Sequence, residues 1–235
     1  AAVGIYRIAR TLGKKAYIVI DERTISIEQV LRLFDNNPEY GKDFILTSAQ
    51  AMEAVTDNAC VVVVDVNSPA RTECPELLTH SKSIVVLDHH RAGKDVIEGA
   101  TLSYVEAFAS SACEMVAEIV QYTGENIRLH PEEADAMYGG IVVDTDGFVN
   151  KAGVRTFEAA AWLSRSGADT TEVKRFFQMD EETFKIKARA IASMILYPIG
   201  IAVAICEGKH QDVQVINAQV SDELLDIKGV KAALL

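Results

Sequence analysis

Positive charge is scarce in this sequence: 23 lysines and arginines stand against 34 aspartates and glutamates in 235 residues, a formal net charge of −11. A surface of that sign repels polyanions, which excludes duplex nucleic acid and anionic membrane as general partners. An anionic substrate would therefore need a local reversal of sign. Cysteine is thin as well. Cys60, Cys74, Cys113 and Cys206 are widely spaced with no CxxC pair, a pattern that fits a reducing, cytoplasmic setting, with Cys60 and Cys206 as small core residues inside apolar runs. No hydrophobic run is long enough for a membrane span. The longest apolar stretch, Ala190 to Cys206, is broken by Ser193, Pro198 and Gly200 and falls short of the ~20 residues a bilayer-crossing helix needs. Internal repeats and low-complexity segments are absent too. The chain opens Ala1-Ala2-Val3-Gly4-Ile5-Tyr6-Arg7 with neither an initiator methionine nor a signal-like n-region and h-region. It reads as a helix already under way, so a fragment of a longer protein is expected.

What is present describes a folded, acidic protein, 49% hydrophobic and 24% charged, of a length that suits one main domain plus something smaller. Ala2 to Leu12 reads as a helix, and Ala16 to Ile20 as a strand ending at Asp21. A second helix is predicted from about Ile27 to Phe34, a short strand over Phe44 to Leu46, and a capped helix start at Ser48. Two uniformly aliphatic runs follow, Cys60 to Val64 ending at Asp65 and Ser83 to Leu87 ending at Asp88. Short runs of that kind are the mark of central parallel strands buried on both faces. After Tyr104 the pattern turns helical, with helices over Ser110 to Gln121 and Pro131 to Val143, the second carrying Gly139 and Gly140. Phe157 to Ala192 is helical in pieces divided at Ser166-Gly167 and Met179-Asp180. From Ile199 the period becomes strand-like, over Ile201 to Ile205 and Val213 to Ile216, separated by Gly208 and polar residues. Helices alternating with aliphatic strands predict an α/β fold with a doubly wound, mainly parallel sheet. The expected organisation is a main domain over 1–165, a helical connector over 166–194, and the beginning of a smaller α/β domain over 195–235.

In open α/β sheets ligands bind beyond the carboxyl ends of the strands. Two such ends carry chemistry. Asp65 leaves the first aliphatic run and is followed by Asn67 and Arg71, while the second run ends in Asp88-His89-His90-Arg91. A third acidic group, Asp144 and Asp146, follows the glycine-bearing helix, with Asp144 the better placed of the two. Carboxylates and neutral imidazoles without a thiolate suit Mn²⁺ or a similar divalent ion. Each residue also has a plainer reading: a strand-end aspartate commonly serves as an N-cap or turn residue, and Arg91 can simply be a solvated charge.

The run Val85-Val86-Leu87-Asp88-His89-His90-Arg91, with Val64-Asp65-Val66-Asn67-Ser68-Pro69 before it and Gly140-Ile141-Val142-Val143-Asp144-Thr145 after it, resembles the DHH phosphoesterase superfamily in the order and spacing of its motifs. The stretches Glu106 to Glu114 and Val154 to Ala160 narrow the likeness to bacterial cyclic-di-AMP phosphodiesterases of the GdpP type. The resemblance implies a DHH domain followed by a smaller DHHA1 domain. It implies hydrolysis of cyclic di-AMP to the linear dinucleotide pApA by hydroxide generated at two Mn²⁺ ions. By the same resemblance Asp65 bridges the metals, His89 and Asp144 are metal ligands, His90 is the catalytic histidine facing the phosphate, and Asp88 orients the histidines. Asn67, Arg71 and Arg91 are candidates for substrate contact.

Two of the family's segments have no counterpart in these residues. The first motif, His-x-x-x-Asp-x-Asp, would precede Ala1, and the glycine-rich GGGH segment would follow Leu235. The expectation is therefore a chain with little or no activity by itself, belonging to a cytoplasmic region of a parent anchored in the membrane through other segments. The expected partner is cyclic di-AMP or a related small dinucleotide, and a homodimer is one arrangement open to it. Two other readings of the motifs remain: a short-oligonucleotide phosphodiesterase or nuclease of the same superfamily, and a non-catalytic cyclic-dinucleotide sensor.

Overall fold

The structure, a computed structural model, describes residues 1–21, 23–35, 37–41, 43–124, 126–206 and 213–235. They form two compact units, Ala1–Phe177 and Gln178–Leu235. The first contains, in chain order, α1 (Ala2–Thr11), β1 (Ile18–Val19), α2 (Ile25–Leu31), β2 (Ile45–Leu46), α3 (Ser48–Ala54) and β3 (Cys60–Val64). A 3₁₀ turn (Pro69–Arg71), α4 (Leu77–His80), β4 (Ser83–Asp88) and β5 (Leu102–Val105) come next, followed by α5 (Ala112–Tyr122), α6 (Pro131–Asp144), α7 (Val154–Arg165) and α8 (Thr170–Arg175). Every strand pair in this unit is parallel: β1 with β2, and β3 with β4 with β5.

The aliphatic runs are explained by burial on both faces. Val62, Val64, Val85 and Leu87 pack into a core with Val116, Met137 and Leu163 of α5, α6 and α7. Their neighbours Val61, Val63, Ile84 and Val86 face the opposite way, against Leu78 and Ile97. With period-two side chains buried alternately on two sides, positions 61–64 and 84–87 are all aliphatic, which is the parallel α/β architecture expected. Ser83 and Cys60 at the strand starts are exposed, so Cys60 is not the core residue its apolar run suggested, and Cys206 is only half-buried. A separate aromatic core of Tyr6, Phe34, Tyr40 and Phe44 supports β1 and β2. The parallel strands thus fall into two hydrogen-bonded sets. Neither β1 nor β3 has a strand partner on its second side among the described residues. Both contribute to a largely apolar cleft of about 340 Å³, lined by Ile18, Ile20, Val64, Cys113, Gly140 and Asp144 among others.

The second unit holds α9 (Glu181–Ala192), β6 (Ile195–Tyr197), β7 (Ile201–Val203), α10 (Val213–Leu225) and β8 (Ala232–Leu234). β6 is antiparallel to β7, and β7 is parallel to β8. Its core joins Ile186 and Ala190 of α9 to Ala202, Ile216, Val220 and Leu224.

Several elements differ from the sequence reading. Val213 to Ile216 is the first turn of α10 instead of a strand. Its first four residues alternate like a strand, but Ile216, Val220 and Leu224 are buried at helical spacing, and that face decides. Gly208, expected as a separator, lies outside the described residues. β5 is an unanticipated strand, short and with Leu102 and Ser103 exposed, so it lacks the aliphatic signature of a buried strand. The cap of α3 is Thr47, one residue before the expected start, and it forms a capping box with Gln50. The segment 166–194 divides, with α8 in the first unit and α9 contributing core to the second.

Glycine is required where α5 meets α6. A Cβ on Gly140 would collide with the Sγ of buried Cys113. Gly140→Ala is expected to destabilise the first unit by about 1–3 kcal/mol, the usual cost of overpacking. Adding Cys113→Ala should recover most of that loss in urea denaturation, and no recovery would refute the contact as the cause.

Candidate metal centre

Asp65 is the residue at which the chain leaves β3. Its N–H still donates to Leu87 O at 2.9 Å, as the next rung of the ladder, but its φ is +69°. A left-handed backbone on a non-glycine residue is uncommon and is tolerated best by Asp and Asn. Asp88 ends the adjacent strand, so His89 and His90 emerge on the same rim. Asp144 arrives from another direction, as the last residue of α6.

These three chain segments converge. His89 Nε2 lies 3.3 Å from Asp65 Oδ1 and 3.8 Å from Asp144 Oδ2. The imidazole is 5% exposed, yet neither of its ring nitrogens has a hydrogen-bond partner. A buried imidazole with an unpartnered nitrogen held between two carboxylates is the arrangement a cation would complete. The Asp65 carboxylate raises the pKa of His89, against the opposing effect of burial and with help from Asp144. Burial raises the pKa of Asp144, and the like charge of Asp65 adds to it. Without a cation, His89 and Asp144 both hold their protons to higher pH than usual.

Asp88 has a different task. It is fully buried, and its Oδ1 accepts from the ring Nδ1 of His90 at 2.8 Å and from the His90 N–H at 3.2 Å. Its Oδ2 accepts from Asn67 Nδ2 at 2.5 Å. Ligand atoms of Asp65, Asp88, His89 and His90 all lie within 4.8 Å of one another. Asp88, with both oxygens engaged, is nevertheless the weakest donor of that group, whereas Asp144 Oδ2 reaches the free nitrogen of His89. A carboxylate bonded to one ring nitrogen leaves the other nitrogen of His90 directed away from it.

The structure therefore brings Asp65, His89 and Asp144 together, with Asp88 and His90 beside them. Asp146 is turned aside, accepting from Asn150 Nδ2 at 3.4 Å within its own loop. Asn67 is 9% exposed and gives its side-chain N–H groups to Asp88 and to the His90 carbonyl, so its amide nitrogen is committed inside the rim. Arg71 and Arg91 line a second pocket of about 320 Å³ that shares Asp65 and His90 with the cluster. Lys94 lines it too. Nothing in the sequence singles out Lys94, which is one exposed charge in a loop.

Residues 1–141 match the DHH family, N-terminal domain. The chain is 35% identical over its whole length to cyclic-di-AMP phosphodiesterase PdeA of Listeria monocytogenes. It is also 35% identical, over 99% of its length, to cyclic-di-AMP phosphodiesterase GdpP of Bacillus subtilis. It spans 36% of the length of each of these relatives. Among solved structures, an exopolyphosphatase-related protein from Bacteroides fragilis shares the fold, with a TM-score of 0.75 at 18% identity, covering 97% of this chain and 68% of that one.

The bond from Asn67 to Asp88 is open to a direct test. Asn67→Ala leaves a buried carboxylate oxygen without its donor and is expected to cost about 1–3 kcal/mol in urea denaturation. A change below about 0.5 kcal/mol, the range of ordinary surface substitutions, would mean that Asn67 does not hold Asp88.

Proposed function

Because the chain belongs to the DHH family, we propose that it is the phosphoesterase portion of a cyclic-di-AMP phosphodiesterase, hydrolysing cyclic di-AMP to pApA at a centre of two Mn²⁺ ions. The observation that carries the reading is His89, buried with unpartnered ring nitrogens between Asp65 and Asp144. The likeness to PdeA and GdpP over the whole chain supports the substrate.

The donor set fits the metal. Two carboxylates and an imidazole, with no thiolate, suit a hard or borderline divalent cation. Asp65, His89 and Asp144 would hold it. Bound divalent cations supply Lewis acidity toward the phosphoryl oxygens and water made acidic enough to attack near neutral pH. The residues do the rest. Asp65 and Asp144 would hold the cation's positive charge at the rim, which would let an acidic chain receive an anionic dinucleotide. Asp88, itself fixed by Asn67, orients His90 with its second ring nitrogen outward, where it can stabilise the phosphate or hand a proton to the leaving oxygen. Among the described residues β1 and β3 each have an unpaired edge and both line the apolar cleft, which is where a strand carrying the family's first motif would place the remaining ligands. No helix among the described residues is long and apolar enough to cross a bilayer.

The decisive assay extends the chain upstream through the first motif and downstream through the GGGH segment, then supplies Mn²⁺ and cyclic di-AMP. The extended protein is expected to release pApA, and the present 235 residues to show little or no turnover. Asp65→Ala and Asp65→Asn in the extended protein should each abolish metal-dependent turnover while leaving its circular dichroism unchanged. Binding of cyclic di-AMP without product would favour a sensor, and turnover retained in both variants would refute Asp65 as a metal ligand.

Metal affinity should depend on pH with a definite sign. Metal requires His89 neutral, and its raised pKa means that the free chain keeps the ring proton to higher pH than an ordinary imidazole does. Mn²⁺ affinity is therefore expected to be greatest above the raised pKa of His89 and to fall as pH drops through it. Protonation of Asp144, whose pKa is also raised, deepens the loss at lower pH. Calorimetry in buffers of different ionisation enthalpy should register proton release on binding. Affinity that stays constant between about pH 5 and 8, the window in which histidine titrates, would contradict the assignment.

A further inference from the structure

The 320 Å³ pocket beside the cluster has a charge pattern that the hydrolytic centre does not explain. Arg71, from the 3₁₀ turn, and Arg91 and Lys94, from the loop after β4, all line it together with Ser68 and His90. None of the three cations takes part in a salt bridge among the described residues, although the chain carries eleven more negative than positive charges. Three carboxylates, Asp65, Asp88 and Asp95, line the pocket as well and balance it in formal charge, but each is turned to a partner other than these cations. Asp88 is bonded to Asn67 and His90, Asp95 accepts from Ser68 Oγ at 2.9 Å, and Asp65 faces His89. Among the described residues the three cations keep their N–H donors unpaired around one concavity, so an entering anion finds charge-assisted donors that no carboxylate of the pocket occupies.

Resting on the reading above, we propose that this pocket is a phosphate subsite distinct from the point of hydrolysis. It takes the second phosphate of the substrate, the one that is not cleaved. The scissile phosphate has to meet Asp65, His89 and Asp144. The basic pocket lies against the same Asp65 and His90 but draws its cations from Arg71, Arg91 and Lys94, so a group seated there belongs to the same ligand at a second position. At about 320 Å³ it is at the small end of ligand pockets and can take a phosphate with part of a sugar. The selected class of substrate is then a dinucleotide with two phosphate groups, in preference to any diester with one. After ring opening, the product still carries two phosphates and competes for the same pair of positions.

The test has two arms. In the first, inorganic phosphate is titrated into the present chain without added metal and followed by the backbone amide resonances of residues 68–71 and 91–95. Saturable shifts there are expected, and the double variant Arg71→Gln/Lys94→Gln should weaken binding about tenfold, a change of about 1.4 kcal/mol. Both residues are exposed, so the variant is expected to fold, and its unaltered amide spectrum elsewhere verifies that. Absence of shifts at these residues, or equal affinity in the variant, overturns the proposal. In the second arm, the extended protein is given cyclic di-AMP or bis(p-nitrophenyl) phosphate, which has a single phosphate. The double variant should raise KM for the dinucleotide at least fivefold more than for the single diester, and equal rises overturn the second-phosphate assignment. If the extended protein does not hydrolyse cyclic di-AMP, the functional reading falls while the phosphate titration still decides the pocket.

Discussion

Repulsion between Asp65 and Asp144 around a single buried imidazole is the constraint on which the rest of the first unit depends. Two carboxylates on an acidic chain would separate if their backbones allowed it. They are held because Asp65 is the next rung of the β3–β4 ladder and Asp144 is the last residue of a helix whose glycine lets it lie directly against α5. The unfavourable electrostatics is local, and the packing that opposes it is extensive, with Val116, Met137, Ile141 and Leu163 all fully buried behind the rim. Such a site keeps its shape in the absence of a cation while gaining much from one.

The two histidines show how neighbouring residues acquire different chemistry from their surroundings. Their rings lie 4.2 Å apart. His89 is buried and has no hydrogen-bond partner on either nitrogen, whereas His90 is half exposed and anchored through Nδ1 by Asp88. One ring is left with a free lone pair for a cation, and the other is oriented by a buried carboxylate that Asn67 in turn fixes. The order of residues along the strand end determines which is which, since successive side chains leave it in different directions.

Much of this was legible in the residues. β3 and β4 announce themselves as aliphatic runs because both faces of their sheet are covered, and their carboxyl ends point to Asp65, His89 and His90 by a rule of topology alone. Asp144 could be expected from the end of a glycine-bearing helix. β5 escaped notice because an edge strand with Leu102 and Ser103 exposed has no reason to be aliphatic. α10 escaped because its first residues alternate, and its buried stripe emerges only when Ile216 is read with Val220 and Leu224. The pairing of Asn67 with Asp88, and the gathering of Lys94 with Arg71, depend on how loops after neighbouring strands fold back over one another, which spacing along the chain does not encode.

The torsion angle at Asp65 narrows what evolution or engineering can place there. With φ at +69°, most side chains, alanine and glutamate included, would add conformational strain of order 1 kcal/mol or more to any loss of coordination. Asparagine tolerates the angle but surrenders the charge, and glycine relaxes the backbone while offering no oxygen at all. Aspartate alone joins tolerance of this torsion to a negative charge beside His89, so the turn the chain makes and the electrostatics of the rim ask for the same side chain.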